Sequence, residues 1–132
     1  MMAYLWVALG GALGSVARYG LNGVISAAFG ETFPWGTILI NVTGSFVIGF
    51  FGAVTDSDTA GVYRVTITQF VIYGLCGGYT TFSSFCLQTL KLLHQREWLY
   101  AGGNVLLSVT LCMIAVWLGW FLGALVRSTK GT

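Results

Sequence analysis

Four long apolar runs, divided by short polar stretches, organise the chain. Ala3 to about Phe29 is apolar and glycine-rich, with Arg18 as its single charge. Glu31-Thr32-Phe33-Pro34 then breaks the pattern, because proline restricts its predecessor and favours a turn or a helix start. Thr37 to Thr55 is a second run without any charge, and Asp56 to Gly61 is a polar loop. A third run extends from Tyr63 to about Gln95, with Arg64 near its start and Lys91 near its end. His94-Gln95-Arg96-Glu97 makes a polar turn, Trp98 to Val126 is the fourth run, and Arg127 to Thr132 is a polar tail. A helix rises ~1.5 Å per residue, so ~20 residues cross a hydrocarbon core of ~30 Å. Each run is long enough, and none alternates as a barrel strand would. The pattern predicts an all-α membrane protein with one four-helix transmembrane domain over residues 1–132. Its helices fall at about 3–29, 37–55, 63–95 and 98–126, with both termini on one side. Trp6, Trp35, Trp98 and Tyr100 sit near the predicted interfaces with lipid headgroups.

Composition sharpens this picture. Charged residues make up 8% of the 132 and hydrophobic residues 56%. A typical globular domain carries roughly 25% charge. So few charges would not coat a soluble domain, which excludes a nucleic-acid binder and an ordinary cytosolic enzyme. Lipid asks for no polar coat, so a bilayer is the expected surrounding. Cys76, Cys86 and Cys112 lie in apolar runs without CxxC spacing, so they read as small packing residues rather than a disulfide or zinc set. The apolar start lacks a basic lead and a clean A-x-A stop, and no cleaved signal peptide is expected. Gly10 and Gly14, and again Gly119 and Gly123, form GxxxG pairs, and Ser45 with Gly49 is a small-xxx-small pair. Such spacing lets backbones approach closely, either inside one bundle or at a dimer seam.

Charge leaves the orientation open. Arg64, Arg127 and Lys130 fall on the side of the termini; Lys91, Arg96 and Arg18 lean to the other. Three against three gives almost no positive-inside bias. Such a chain inserts either both ways or by the preference of its first helix. If both, an antiparallel homodimer is the natural product, because two copies about a two-fold axis enclose a pathway that four helices alone do not.

The third run carries the chemistry. Gly74-Leu75-Cys76-Gly77-Gly78-Tyr79-Thr80-Thr81-Phe82-Ser83-Ser84-Phe85 puts three glycines and four hydroxyl residues at the middle of a span. Glycine costs ~1 kcal/mol in a helix interior, so a break is expected near 75–82. Non-helical backbone at membrane depth survives only where protein buries it or a cavity adjoins it. Freed carbonyls suit a bare cation, whereas helix N-termini and hydroxyls suit an anion. Phe82 and Phe85 share a face at i, i+3. Their ring edges carry partial positive charge. Asn41 is the only amide deep in the second run. An unpaired amide in lipid would cost several kcal/mol, so it should face a pathway with its NH₂ open to an anion.

GGYTTFSSF resembles the GGxTTFSTF signature of the small fluoride channel (Fluc) family. The resemblance extends along the chain through Gly14-Ser-Val-Ala-Arg18-Tyr19 in the first run, through Gly36-Thr37 and Asn41-Val-Thr-Gly44 in the second, and through Ser108 in the fourth. It implies a fluoride-selective channel in a bacterial inner membrane, a multi-pass antiparallel dual-topology homodimer with two pores. Such a channel would export fluoride passively and so lower cytoplasmic fluoride toxicity. By resemblance, Phe82 and Phe85 match the pore-facing rings, and Asn41 matches the asparagine beside them. Thr81, Ser84 and Ser108 extend a polar track, and Arg18 matches the arginine near the vestibule. Gly77 and Thr80 match the residues whose main-chain oxygens hold a structural Na⁺ at the two-fold axis. Two positions depart from the family pattern. Cys112 stands where a serine would continue the track, and Asn104 stands near a position that some members fill with tyrosine.

The rival reading is a small multidrug exporter, also a four-helix dual-topology dimer. Proton coupling would require a carboxylate within the membrane. Glu31, Asp56, Asp58 and Glu97 all fall in loops or at interfaces. An assembly subunit would leave the glycine-rich break and Asn41 without a purpose. An enzyme is not expected, since the only histidine, His94, sits beside Lys91 and Arg96 with no nucleophile near it.

Overall fold

A computed structural model describes residues 1–56 and 61–130. Part of the expected 56–61 loop, Asp58 included, and the end of the tail lie outside the described residues. Among the described residues, five helical segments follow one another. Helix α1 is Met2–Phe29 and α2 is Trp35–Thr55. Helix α3 covers 62–79. It starts as α-helix over Val62–Ile67, widens to π-helix over Thr68–Cys76 and closes with the turn Gly77–Tyr79. Helix α4 is Phe82–His94 and α5 is Trp98–Lys130. Arg127, expected in a polar tail, therefore extends the last helix. It donates to the carbonyls of Ala53 (3.1 Å) and Asp56 (2.7 Å), which satisfies the frayed C-terminus of α2.

Among the described residues, three stretches are long and apolar enough to cross a membrane: Trp35–Thr55, Tyr63–His94 and Trp98–Thr129. Helix α1 has the length, 28 residues, but not the hydropathy. The reason is local: Ser15, Arg18 and Asn22 border an internal cavity rather than lipid. Much of the remaining surface is apolar. Leu106 is 70% exposed and Trp117 64%, as a chain covered by lipid requires.

The small-residue pairs pack inside the protomer. A Cβ at Gly10 or Gly14 would collide with the backbone of Phe70 and Leu75 in α3. At Gly49, Gly119 and Gly123 the obstacles are the carbonyls of Val116, Phe46 and Phe50, so α2 and α5 touch backbone to backbone. Gly119→Ala is expected to destabilise the protein by about 3 kcal/mol, the upper range for overpacking. Gly102→Ala, where a Cβ meets open space, should be neutral. Thermal unfolding in detergent compares the two, and equal midpoints would contradict the packing account.

Candidate functional site

The glycines of the third run are not where the helix stops. Gly77 is right-handed helical (φ −62°, ψ −38°), and Gly78 lies in the helical turn after it. Gly74 and Gly78 admit the neighbouring backbone instead: a Cβ on Gly78 would strike the Gly11 carbonyl of α1, and one on Gly74 would crowd Gly10 and Val7. Helical geometry ends at Thr80 (φ −79°, ψ 159°) and Thr81 (φ −154°, ψ 111°) and resumes at Phe82. Two β-branched residues accept extended backbone readily. Thr81 Oγ1 accepts the Ser84 N–H at 3.2 Å as an N-cap.

Nearly every group freed by this interruption has a partner. The Thr80 N–H and hydroxyl both donate to the Cys76 carbonyl, at 2.9 and 2.8 Å. The Gly78 carbonyl accepts from Arg18 Nε at 3.1 Å and, more distantly, from the Ser15 hydroxyl at 3.5 Å. Asn41 grips the Thr81 peptide from α2. Its Oδ1 accepts the Thr81 N–H at 2.8 Å, and its Nδ2 donates to the Thr81 carbonyl at 3.1 Å. The amide is thus half engaged as a clamp, and one of its two N–H groups remains for another acceptor. Sequence reasoning missed the clamp, because only the fold brings residues 41 and 81 together.

The Gly77 carbonyl is left over. Its helical donor would be the Thr81 N–H, which goes to Asn41. The Thr80 carbonyl likewise accepts no hydrogen bond among the described residues. Gly77 is exposed, and a Cβ there would meet nothing. These two hard oxygens fit the ligand chemistry of a small alkali cation. Among the described residues, no cluster of three His, Cys, Asp or Glu side chains that could hold a metal ion exists.

Two cavities meet at the interruption. One, of about 310 Å³, is bordered by Asn41, Thr81, Phe82, Phe85, Ser108 and Cys112, among others. The phenylalanine rings lie 5.4 Å apart, centroid to centroid, tilted by 40°. Phe85 is 9% exposed but Phe82 is 76%, so only one ring is anchored within the protomer. The second cavity, of about 290 Å³, holds Arg18, Asn22, Thr37, Thr81, Ser84 and Gln88. Thr81 borders both, and its hydroxyl donates to Ser84 Oγ at 3.0 Å. Asn22 and Gln88 in turn border a third cavity of about 280 Å³ that reaches Glu31, Lys91 and Gln95 between the helix ends. The expected residues Asn41, Thr81, Ser84, Ser108, Phe82, Phe85 and Arg18 therefore fall on two adjoining cavities. Asn22 and Gln88 were not foreseen; isolated amides in apolar runs gave no pattern to find them by. The carboxylates of Glu31, Asp56 and Glu97 lie between helices.

The arrangement is that of a helical membrane protein with a polar route inside a largely apolar body. A family model described as CrcB-like protein, Camphor Resistance (CrcB), matches residues 5–120. A curated protein of Opitutus terrae, named fluoride-specific ion channel FluC, is 52% identical over 132 residues, covering all of both chains. A protein of the same name from Methylocella silvestris is 51% identical over 130 residues, 98% of this chain and 99% of that one. One from Rhodospirillum rubrum is 54% identical over 118 residues, 89% of this chain and 92% of that one. The chain belongs to this CrcB-like family and is a multi-pass membrane protein.

Proposed function

We propose that the chain is a fluoride channel, that two copies form an antiparallel dual-topology dimer, and that each dimer carries two pores through which fluoride leaves a bacterial cell passively, lowering its toxicity. The observation that carries this reading is the set of neutral donors around the Asn41 clamp. Fluoride is small and strongly hydrated, so a pathway must replace its water with donors. The spare Asn41 N–H, the Ser84 hydroxyl and the edges of Phe82 and Phe85 do so without a fixed charge that would hold the ion too tightly, and the Thr81 and Ser108 hydroxyls, which donate to Ser84 Oγ and Asn104 Oδ1 in the protomer, join them by rotating toward the ion. The N-terminus of α4 adds a favourable dipole for an anion. The route runs from the cavity near Lys91, past Asn22, Gln88 and Arg18, to Thr81 and then to the phenylalanine pair. Arg18 is held by the Gly78 carbonyl, so it tunes the vestibule without binding the ion firmly.

A dimer completes two features. It would cover the exposed Phe82 ring, and it would bring two copies of the Gly77 and Thr80 carbonyls around one Na⁺. That ion would tie the interrupted spans of both chains together. Gly77→Val leaves the protomer unstrained, because a side chain there meets open space. It is nevertheless expected to abolish the dimer, read as a shift to monomer in cross-linking within membranes. A Gly77→Val protein that stays dimeric would count against the shared ion site.

Function is tested in cells made fluoride-sensitive. Expression of the chain is expected to restore growth in fluoride and to leave sensitivity to quaternary ammonium drugs unchanged. Drug resistance without fluoride resistance would favour the exporter reading and overturn this one.

A further inference from the structure

Two cavities of opposite character adjoin where the α1–α2 loop meets the α4–α5 turn. One, of about 280 Å³, is the polar recess that Glu31, Lys91 and Gln95 border. The other, of about 410 Å³, is largely apolar and is bordered by Phe29, Trp35, Leu99 and Leu107, among others. Thr32 and Phe33 border both, so the loop is the threshold between them. The apolar recess faces lipid: Leu99 is 91% exposed and Phe29 67%. Leu99, Gly103 and Leu107 repeat at i, i+4 and i+8 of α5, so the recess descends ~12 Å along that helix. Trp35, Trp98 and Tyr100 mark the level of the lipid headgroups. The polar recess therefore lies at headgroup depth, and the apolar one lies beside the upper part of an acyl chain.

The polar recess carries both signs of charge. Glu31 and Lys91 border it together. They do not pair with each other; among the described residues the ion pair is that of Arg127 with Asp56. The Gln95 side chain, exposed on the same rim, makes no hydrogen bond among the described residues either. A free anion entering here would meet Glu31 as well as Lys91, and a free cation would meet the reverse. A zwitterion meets each with the right sign. The adjoining apolar recess adds the second requirement, a hydrocarbon chain on the same molecule. A phospholipid with an amine in its headgroup has both parts. The kind of amine matters, because a primary ammonium offers three N–H donors and a quaternary one offers none. The Glu31 carboxylate and the Gln95 amide oxygen are acceptors for such donors.

We propose that the two recesses together are a binding site for a phospholipid with a primary-amine headgroup. Lys91 takes the phosphate, Glu31 and Gln95 take the ammonium, and one acyl chain lies in the recess between Phe29 and Leu107. The site requires only that the chain is a membrane protein, so it stands or falls apart from the fluoride reading.

Native mass spectrometry of the full chain in detergent, titrated with equal amounts of dioleoyl phosphatidylethanolamine and dioleoyl phosphatidylcholine, tests the site. The two lipids share their phosphate and chains and differ in the amine. The parental protein is expected to retain the ethanolamine lipid about tenfold over the choline lipid, the weight of one charge-assisted hydrogen bond. Glu31→Gln keeps the size of the side chain and should bring the two lipids close to equality. Lys91→Gln should lower retention of both, because both carry the phosphate. Gly103→Trp should also lower both by filling the apolar recess; a Cβ there only touches the Phe33 ring at 4.0 Å, so the backbone admits it. Glu31 and Lys91 are exposed, and thermal unfolding of all three variants should match the parental protein. A parental protein without preference, a preference that survives Glu31→Gln, or retention that survives Lys91→Gln and Gly103→Trp overturns the site. Stronger retention of dioleoyl phosphatidylglycerol than of the ethanolamine lipid also overturns it, since Lys91 would then act without Glu31.

Discussion

Phe82→Ile is expected to leave the protomer folded and to lower fluoride flux severalfold, up to about tenfold, since the ring edge is worth up to roughly 1.5 kcal/mol beyond its area. The argument is geometric. Phe82 is 76% exposed in the protomer, so isoleucine there removes the ring edge without opening a core. Phe85 is 9% exposed and should cost more stability when changed, which makes Phe85→Ile the less clean probe of the same chemistry. Both variants are to be compared with the parental protein by dimer recovery and by efflux. If both conduct at the parental rate, the rings only pack, and the ion follows the hydroxyls of Thr81, Ser84 and Ser108.

Asn41→Asp should have the larger effect, reducing fluoride flux to background. The exchange preserves shape but removes the N–H that Asn41 donates to the Thr81 carbonyl and the one left for an anion. It keeps the acceptor for the Thr81 N–H. Losing one partner of a part-buried carbonyl costs ~1–3 kcal/mol, so the protein should be weakened yet foldable. A carboxylate beside the phenylalanine pair would then repel any anion on the route. Thermal unfolding and efflux on the same preparation separate the two consequences. Parental flux in a folded Asn41→Asp protein would remove Asn41 from the pathway.

The helices were legible because ten charged residues (six basic, four acidic) fall mostly between apolar runs, and only lipid tolerates such spacing. The finer features were legible in part. The glycines of the third run suggested a break, but Gly74 and Gly78 serve close contact with α1. The extended residues are Thr80 and Thr81. The available signal was Thr81 three residues before Ser84, the spacing of an N-cap, and glycine content outweighed it. The GxxxG pairs left bundle and seam equally open; the fold uses them inside the protomer. The π-helical stretch Thr68–Cys76 has no mark in the sequence, because it depends on α1 lying against it through Gly10 and Gly14. Asn104 stood out only as a departure from the family pattern. Its partners Thr89 and Ser108 lie on two helices, and no periodicity within one run reveals them.

The most direct measurement of the central claim is ion efflux from liposomes holding the purified protein, loaded with both fluoride and chloride and followed with an electrode for each. The account predicts that fluoride leaves once its electrical counter-flow is provided, while chloride stays inside. Release of both ions at similar rates, or of neither, would contradict it.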